Sequence, residues 1–319
     1  MVKSLLTFCI VSFLLCAVWG QGKLYITVTD LEDETLSLRM SITASIFVNQ
    51  INNAYSNAVS PSFPEECITP EAEEKVLEIW KNSSFYFQKD YGGFKGIITA
   101  VGYQIRGIPV VMQEGGLLQN GVINFNPDGQ IINFHFSVDE TVYHTILTQN
   151  NSLQDVQRKR SILDFVEDFR TAYNRKDLNL ISQVYGDDVL IITGYVYRET
   201  GERSKLTGLS EEKVRYNLYN KNEYLEQLKG VFAKNRFVNL FFEDIVIVQH
   251  PALRNLYGVT LLQKWRSTTY NDDGWLFMAV EFRSDTEMLI HIRTWQPYLL
   301  NQKVFPREEV YQLGNFEFR

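Results

Sequence analysis

The sequence predicts an α+β protein made of two tandem modules, in each of which helices come before strands. Three observations carry this. Residues 161–197 run unbroken through helix, corner, second helix and strand. The preceding half follows the same order of helices then strands. Between them Thr148, Gln149, Asn150, Asn151 and Ser152 form a polar break in a chain of 319 residues, a length that accommodates two units.

Residues 1–20 carry Lys3 near the terminus, an apolar core over residues 5–18, and Val18 and Gly20 ahead of Gln21. This is the pattern of a secretory signal peptide. A retained anchor fits less well, because the core is shorter than the ~20 apolar residues that span a bilayer and no second apolar run follows. Cys16 lacks the small preceding residue expected of a lipid-bearing cysteine. The expected divisions are therefore a signal peptide at 1–20, a first module at 21–150 and a second at 151–319, with export to the periplasm or the extracellular space and no membrane span.

In the first module, residues 22–29 alternate Leu24, Ile26 and Val28, which suits either an edge strand or a mobile arm. A long helix is expected over residues 36–58 with Leu38, Ile42, Ile46, Val48 and Ile51 as its apolar positions. A shorter helix starts at Pro70, capped by Thr69, and carries Val76, Leu77 and Trp80. Strands follow at 97–111, 121–126 and 131–138, the last two joined by a turn at Asn126, Pro127, Asp128 and Gly129.

In the second module, Ile162, Phe165, Val166, Phe169, Ala172 and Tyr173 share one helical face, and Ser161 with Asp164 reads as a capping box. The helix is expected to start near Ser161. After the corner, Asp177 caps a second helix bearing Leu178, Ile181, Val184 and Tyr185. A β-branched and aromatic run from Val189 to Tyr197 reads as a strand. Residues 198–222 are rich in Lys, Arg, Glu and Gly and read as a long, mobile surface insertion. A third helix from Lys221 carries Tyr224, Leu225, Leu228, Val231 and Phe232. Strands are expected over 237–248, 256–269, 275–283 and 288–295, with turns at 271–274 and 284–287. The terminal Leu313, Phe316 and Phe318 are expected to pack back on the fold, since exposing them together is costly.

The run from Ala172 to Val189, with Asn174, Arg175, Lys176, Asp177 and Leu178 at the corner and Tyr185, Asp187 and Asp188 before the strand, resembles the nuclear transport factor 2-like superfamily. That resemblance implies a cone-shaped α+β fold, helices on a strongly bent antiparallel sheet, and makes the first module a divergent copy. The two-module, exported look is also similar to proteins of Bacteroidetes-type bacteria, a likeness that implies no activity. Relatives often dimerise through the open sheet face, so the resemblance implies that a tandem chain can form an intrachain pseudo-dimer. Ketosteroid isomerases of the superfamily use a tyrosine and an aspartate that fall here at Phe169 and near Thr193. Phe cannot donate a hydrogen bond and Thr is not a base near neutral pH.

The formal charge of −7, from 31 basic and 38 acidic residues mixed along the chain, argues against a nucleic-acid partner. Cys9 and Cys16 leave with the signal peptide, so Cys67 is left as a single thiol. The four histidines lie apart, without metal-ligand spacing, and no phosphate-binding glycine loop or nucleophile motif is present, so no metal or cofactor is expected.

Candidate ligand-binding residues lie on the last strands: Tyr195, Trp265, Glu281, His291, Arg293 and Trp295. Strict alternation puts His291, Arg293 and Trp295 on one face, and the hairpin register decides whether Glu281 joins His291. A His–Glu pair in a pocket does acid–base chemistry, although a satisfied structural histidine is the commoner outcome. The reading is a non-catalytic exported protein that binds a small apolar ligand or a protein partner. The alternative is an enzyme of the isomerase or cyclase type with a pocket around His291.

Overall fold

Each half of the chain closes its own apolar core around its own sheet. The computed structural model describes residues 23–88, 93–99, 101–116, 118–138, 140–148, 153–198, 211–284 and 287–318. Residues 1–20, where a signal peptide is expected, and residues 149–152 of the polar break lie outside the described residues.

The first module opens with an extended segment in which Leu24, Ile26 and Val28 are buried. It ends in strand β1 (Thr27–Thr29) and lies along helix α1 (Glu34–Asn57). The amides of those three residues donate to Asn49 Oδ1, Ser45 Oγ and Ser41 Oγ, each at 2.9 Å. A strand repeat of two residues spans about 6.6 Å and a helical repeat of four about 6 Å, so the two ladders match along their length. β1 also pairs in parallel with β3 (Gly93–Lys95). Of the two sequence readings, the edge strand is the one adopted. The polar stripe on α1 also shifts the apolar face away from the expected positions. Met40, Ala44, Phe47, Val48 and Ile51 are buried, while Leu38 and Ile42 are exposed.

Helix α2 (Pro70–Asn82) starts at Thr69, whose hydroxyl accepts from Ala72 N, with Pro70 in the first turn. The first sheet runs β2 (Phe85–Phe87), β5 (Tyr103–Met112), β6 (Leu118–Phe125) and β7 (Ile131–Ser137), with β4 (Ile97–Ile98) paired to β5. Phe47, Phe85, Phe87, Phe134 and Phe136 fill the space between helices and sheet.

Helix α3 (Glu140–Thr148), within the range expected for the first module, packs Tyr143 and Ile146 into the second core instead, and with α4 (Leu153–Arg175), α5 (Leu178–Val184) and α6 (Lys221–Lys234) it lies on one face of a six-stranded sheet. Its order is β10 (Val238–Gln249), β11 (Leu256–Ser267), β12 (Asn271–Phe282), β13 (Met288–Pro297), β8 (Tyr185–Arg198) and β9 (Glu212–Tyr219). All pairs are antiparallel except β13 with β8. Irregularities in β10, where Asp244 has φ 50°, and in β13 bend the sheet into a cone around the helices. Asp177 caps α5 through Leu180 N at 2.9 Å, as its position predicts.

Further expectations differ from what is observed. α4 begins at Leu153, and the Ser161 hydroxyl, instead of capping, donates back to Gln157 O. The basic run Arg158, Lys159 and Arg160 is thus inside the helix. Residues 212–219 of the polar insertion are not loop but strand β9, which pairs with β8; residues 199–210 lie outside the described set. The β11–β12 hairpin reverses at residues 268–270, so 271–274 belong to a strand. Finally, the sheet face opposite the helices is covered by the chain's own C-terminal segment rather than by the first module. Val310, Tyr311, Leu313 and Phe316 lie on Leu256, Leu262, Trp275, Phe277 and Ile292.

What joins the modules is α4. Its apolar stripe enters the second core, while Glu167, Arg170, Thr171 and Asn174 make a buried polar stripe. Glu167 accepts from Arg106 Nη1 at 3.0 Å and from Val138 N at 2.7 Å, with His135 Nε2 at 3.3 Å. Burial pushes the Glu167 carboxyl up, but the Arg106 charge and the bonds from His135 and Arg106 outweigh it and hold the pKa at about 2. Arg170 donates to Leu240 O at 2.7 Å, to Ser137 O at 2.9 Å and to the Gln119 side chain.

Candidate functional site: the cone of the second module

Inward-facing residues of the second sheet form successive rows set by the strand register. Arg293 pairs with Met278, which pairs with Val259; two residues on, Trp295 pairs with Leu276 and Leu276 with Leu261. Gln263 with Gly274, then Trp265 with Asp272, continue towards the open end. Helix α6 closes the other side with Tyr224, Leu228 and Val231. Together they enclose a cavity of about 360 Å³, within the range of small-molecule pockets.

Arg293 sits at the inner end and is 4% exposed. Its guanidinium lies 5.4 Å from the Tyr224 ring centroid. Beside it three tyrosine hydroxyls form a chain, Tyr173 to Tyr224 at 2.7 Å and Tyr173 to Tyr185 at 3.1 Å. Burial, first of all, raises the pKa of Tyr173 and Tyr185, so both stay neutral donors and acceptors.

Trp295 lies flat against the sheet because two glycines leave room for it. A Cβ on Gly274 would fall 2.0 Å from Trp295 Nε1, and one on Gly194 would fall 2.9 Å from Cε3. Trp265 is half-buried and meets Tyr173 edge to face at 6.1 Å. At the mouth, burial raises the Asp272 carboxyl to about 6, against a Tyr270 hydrogen bond that lowers it.

The sequence-derived site residues divide into three places. Trp265, Arg293 and Trp295 line the cone, with Thr193, while Phe169 is buried in the core. Glu281 and His291 do not join them. In the β12–β13 ladder Ala279 faces Ile292 and Val280 faces Ile290, so His291 is an extra, unpaired residue. This bulge breaks the period-two alternation and puts His291 on the opposite face from Arg293. There Nε2 is 2.7 Å from Glu281 Oε2 and Nδ1 is 3.5 Å from Asp188 Oδ1. The pair borders a separate outer hollow of about 900 Å³ with Arg254, Phe316 and Phe318. Tyr195 is 41% exposed and lines neither.

Sequence reading missed Tyr173, Tyr185, Tyr224, Gln263 and Asp272. The tyrosines were counted as apolar positions of their elements, although a buried Tyr carries a hydroxyl that needs a partner. Asp272 was assigned to a turn. Among the described residues, no three His, Cys, Asp or Glu side chains stand where they could hold a metal ion. No described helix is long and apolar enough to cross a membrane. Cys67 is buried, and burial, then Glu66, raises its thiol pKa.

No protein-family model and no curated protein matches the chain. Among solved structures, it is similar to Bd1075 of Bdellovibrio bacteriovorus at 17% identity and a TM-score of 0.34, over 53% of this chain and 48% of that one. The match thus spans about half the length of the Bdellovibrio protein. An NTF2-like protein from Cytophaga hutchinsonii is similar at 12% identity and a TM-score of 0.33, over 44% of this chain and 98% of that one. An NTF2-like protein of unknown function from Shewanella oneidensis is similar at 15% identity and a TM-score of 0.30, over 43% of this chain and 98% of that one.

Proposed function

We propose that this is an exported, non-catalytic binding protein whose second-module cone holds a small, largely apolar ligand, the first module serving as its support. The observation that carries the reading is the cavity itself. Trp265, Trp295 and the aliphatic side chains of α6 offer apolar area, and a few polar groups converge on it, the mixture that ligand pockets use. Export rests on the residues 1–20 pattern, with the two-module likeness to exported proteins of Bacteroidetes-type bacteria beside it. A protein partner would engage an outer surface instead.

A second reading, an enzyme of the isomerase or cyclase type, is favoured by one observation. Asp272, at the cone mouth, has a carboxyl held at about 6, near the value useful to a general base. Its chemistry would have to centre on Asp272, because His291 opens on the outer hollow. A thermal-shift screen of small apolar acids, sugars and peptides tests the binding reading. Hits should disappear in Val231→Trp, which fills the cone from α6, and persist in His291→Ala.

A further inference from the structure

Arg293 is buried at the closed end of a cavity, yet its guanidinium makes no hydrogen bond and no ion pair with any described residue. Its Nε is fully enclosed and has no partner. That is unusual chemistry for a guanidinium, which stays protonated in proteins and is costly to bury uncompensated. Compare Arg170 and Arg106 in the same chain. Arg170 spends its donors on Leu240 O, Ser137 O and Gln119, and Arg106 is paired with Glu167. Arg293 has only the Tyr224 ring face and the neighbouring hydroxyls.

We infer that the cone binds its ligand through a single carboxylate, received by the Arg293 guanidinium, with the hydrocarbon or aromatic body of that ligand lying against Trp295 and Trp265. This rests on the cone being the binding site and adds the class of molecule it takes.

Donor counting supports an anion at this end. Three tyrosine hydroxyls hold three protons, and the two bonds among them use two. One O–H is left to give, and Tyr224, which lines the cavity at the end of the chain, is placed to give it. Arg293 Nη1 and Nη2 add the fork that matches a carboxylate in two parallel bonds. A monoanion balances the one buried charge, whereas a dianion such as a phosphate monoester would bring a second charge with no cation at that end.

The rows then read outward. Beyond the carboxylate, Trp295 offers a flat apolar wall. Further out, Gln263 Oε1 is buried without a partner and accepts one hydrogen bond from the ligand's body. The open end carries the Asp272 carboxyl, which disfavours a second anionic group there.

The test compares acids with their own primary amides by isothermal titration calorimetry on the full mature chain at pH 7.5: phenylpropionate, cinnamate, indole-3-acetate and octanoate. At least one acid should bind, and about tenfold or more tighter than its amide, the discrimination expected when a buried charge loses its partner. Arg293→Gln should bring the acid down to the affinity of the amide, and Tyr224→Phe should weaken the acid selectively. The acid–amide comparison needs only the wild-type protein, so a variant that fails to fold does not remove the test. An amide that binds as tightly as its acid overturns the carboxylate assignment and leaves the cone as the site. Acids and amides that both fail to bind overturn the cone reading and the assignment together.

Discussion

His291 Nε2 meets Glu281 Oε2 at 2.7 Å because β13 carries one residue more than β12 between the pairs Ile290–Val280 and Ile292–Ala279. The same extra residue sends Arg293 to the opposite face, where it enters the cone. One bulge thus separates two groups that regular alternation would place together. A ligand in the cone is therefore expected to ignore His291→Ala, and a change in cone affinity in that variant would contradict the placement.

Gly274 is the contact that lets Trp295 lie flat. Gly274→Ala should destabilise the protein by about 1–3 kcal/mol, since neither the indole nor Gln296 O at 2.8 Å can move freely from the new methyl. Ligand affinity should fall with it. Urea denaturation with a wild-type midpoint would show that Trp295 sits elsewhere.

Glu167 makes the junction between modules sensitive to acid. Its pKa is lowered from the usual 4.5 to about 2, so its contribution is present above pH 4.5 and is lost as the pH falls towards 2. The span of the shift corresponds to roughly 3 kcal/mol at most. Asp164 beside it is raised to about 6, chiefly by burial, and acts with the opposite sign between its usual 3.8 and that value. Glu167→Gln should cost about 3–5 kcal/mol at neutral pH by removing the carboxylate charge that the buried Arg106 guanidinium faces at 3.0 Å. Its stability, followed by urea denaturation from pH 7 to 2.5, should fall less steeply below pH 4.5 than that of wild type. Equal slopes would remove Glu167 from the acid response.

The legible parts of the fold were those whose causes are local. Asp177 caps its helix through a neighbour three residues away, and Thr69 with Pro70 does the same at α2. The start of α4 was not legible, because Ser161 offers a local cap that eight further helical residues override. Strand β9 left a signal in the alternation of Val214, Tyr216 and Leu218 with Lys213, Arg215 and Asn217, which the polar composition masked. Glu167, Arg170, Thr171 and Asn174 fall on one polar helical stripe, and only the packing of two modules turns it from a solvent face into an interface. In the site, Trp265, Arg293 and Trp295 could be found from strand alternation. The bulge at His291 could not.

The C-terminal segment covers the outer face of the second sheet. Deleting residues 305–319 should uncover Trp275, Phe277 and Ile292 and make the protein self-associate. Light scattering coupled to size-exclusion chromatography reads this directly. A truncated chain that stays monomeric and as stable as wild type would show that the segment covers nothing of consequence.

Export predicts removal of the segment ending at Gly20. N-terminal sequencing of protein recovered outside the cytoplasm should begin near Gln21, and an intact Met1 on a membrane-bound product would contradict it.

The central claim is that the second-module cone is a binding site. Calorimetric titration of the best hit from the screen into wild type, Val231→Trp and His291→Ala measures it most directly. The account predicts saturable binding to wild type and His291→Ala with equal affinity and none to a folded Val231→Trp. Undiminished binding to Val231→Trp would contradict it.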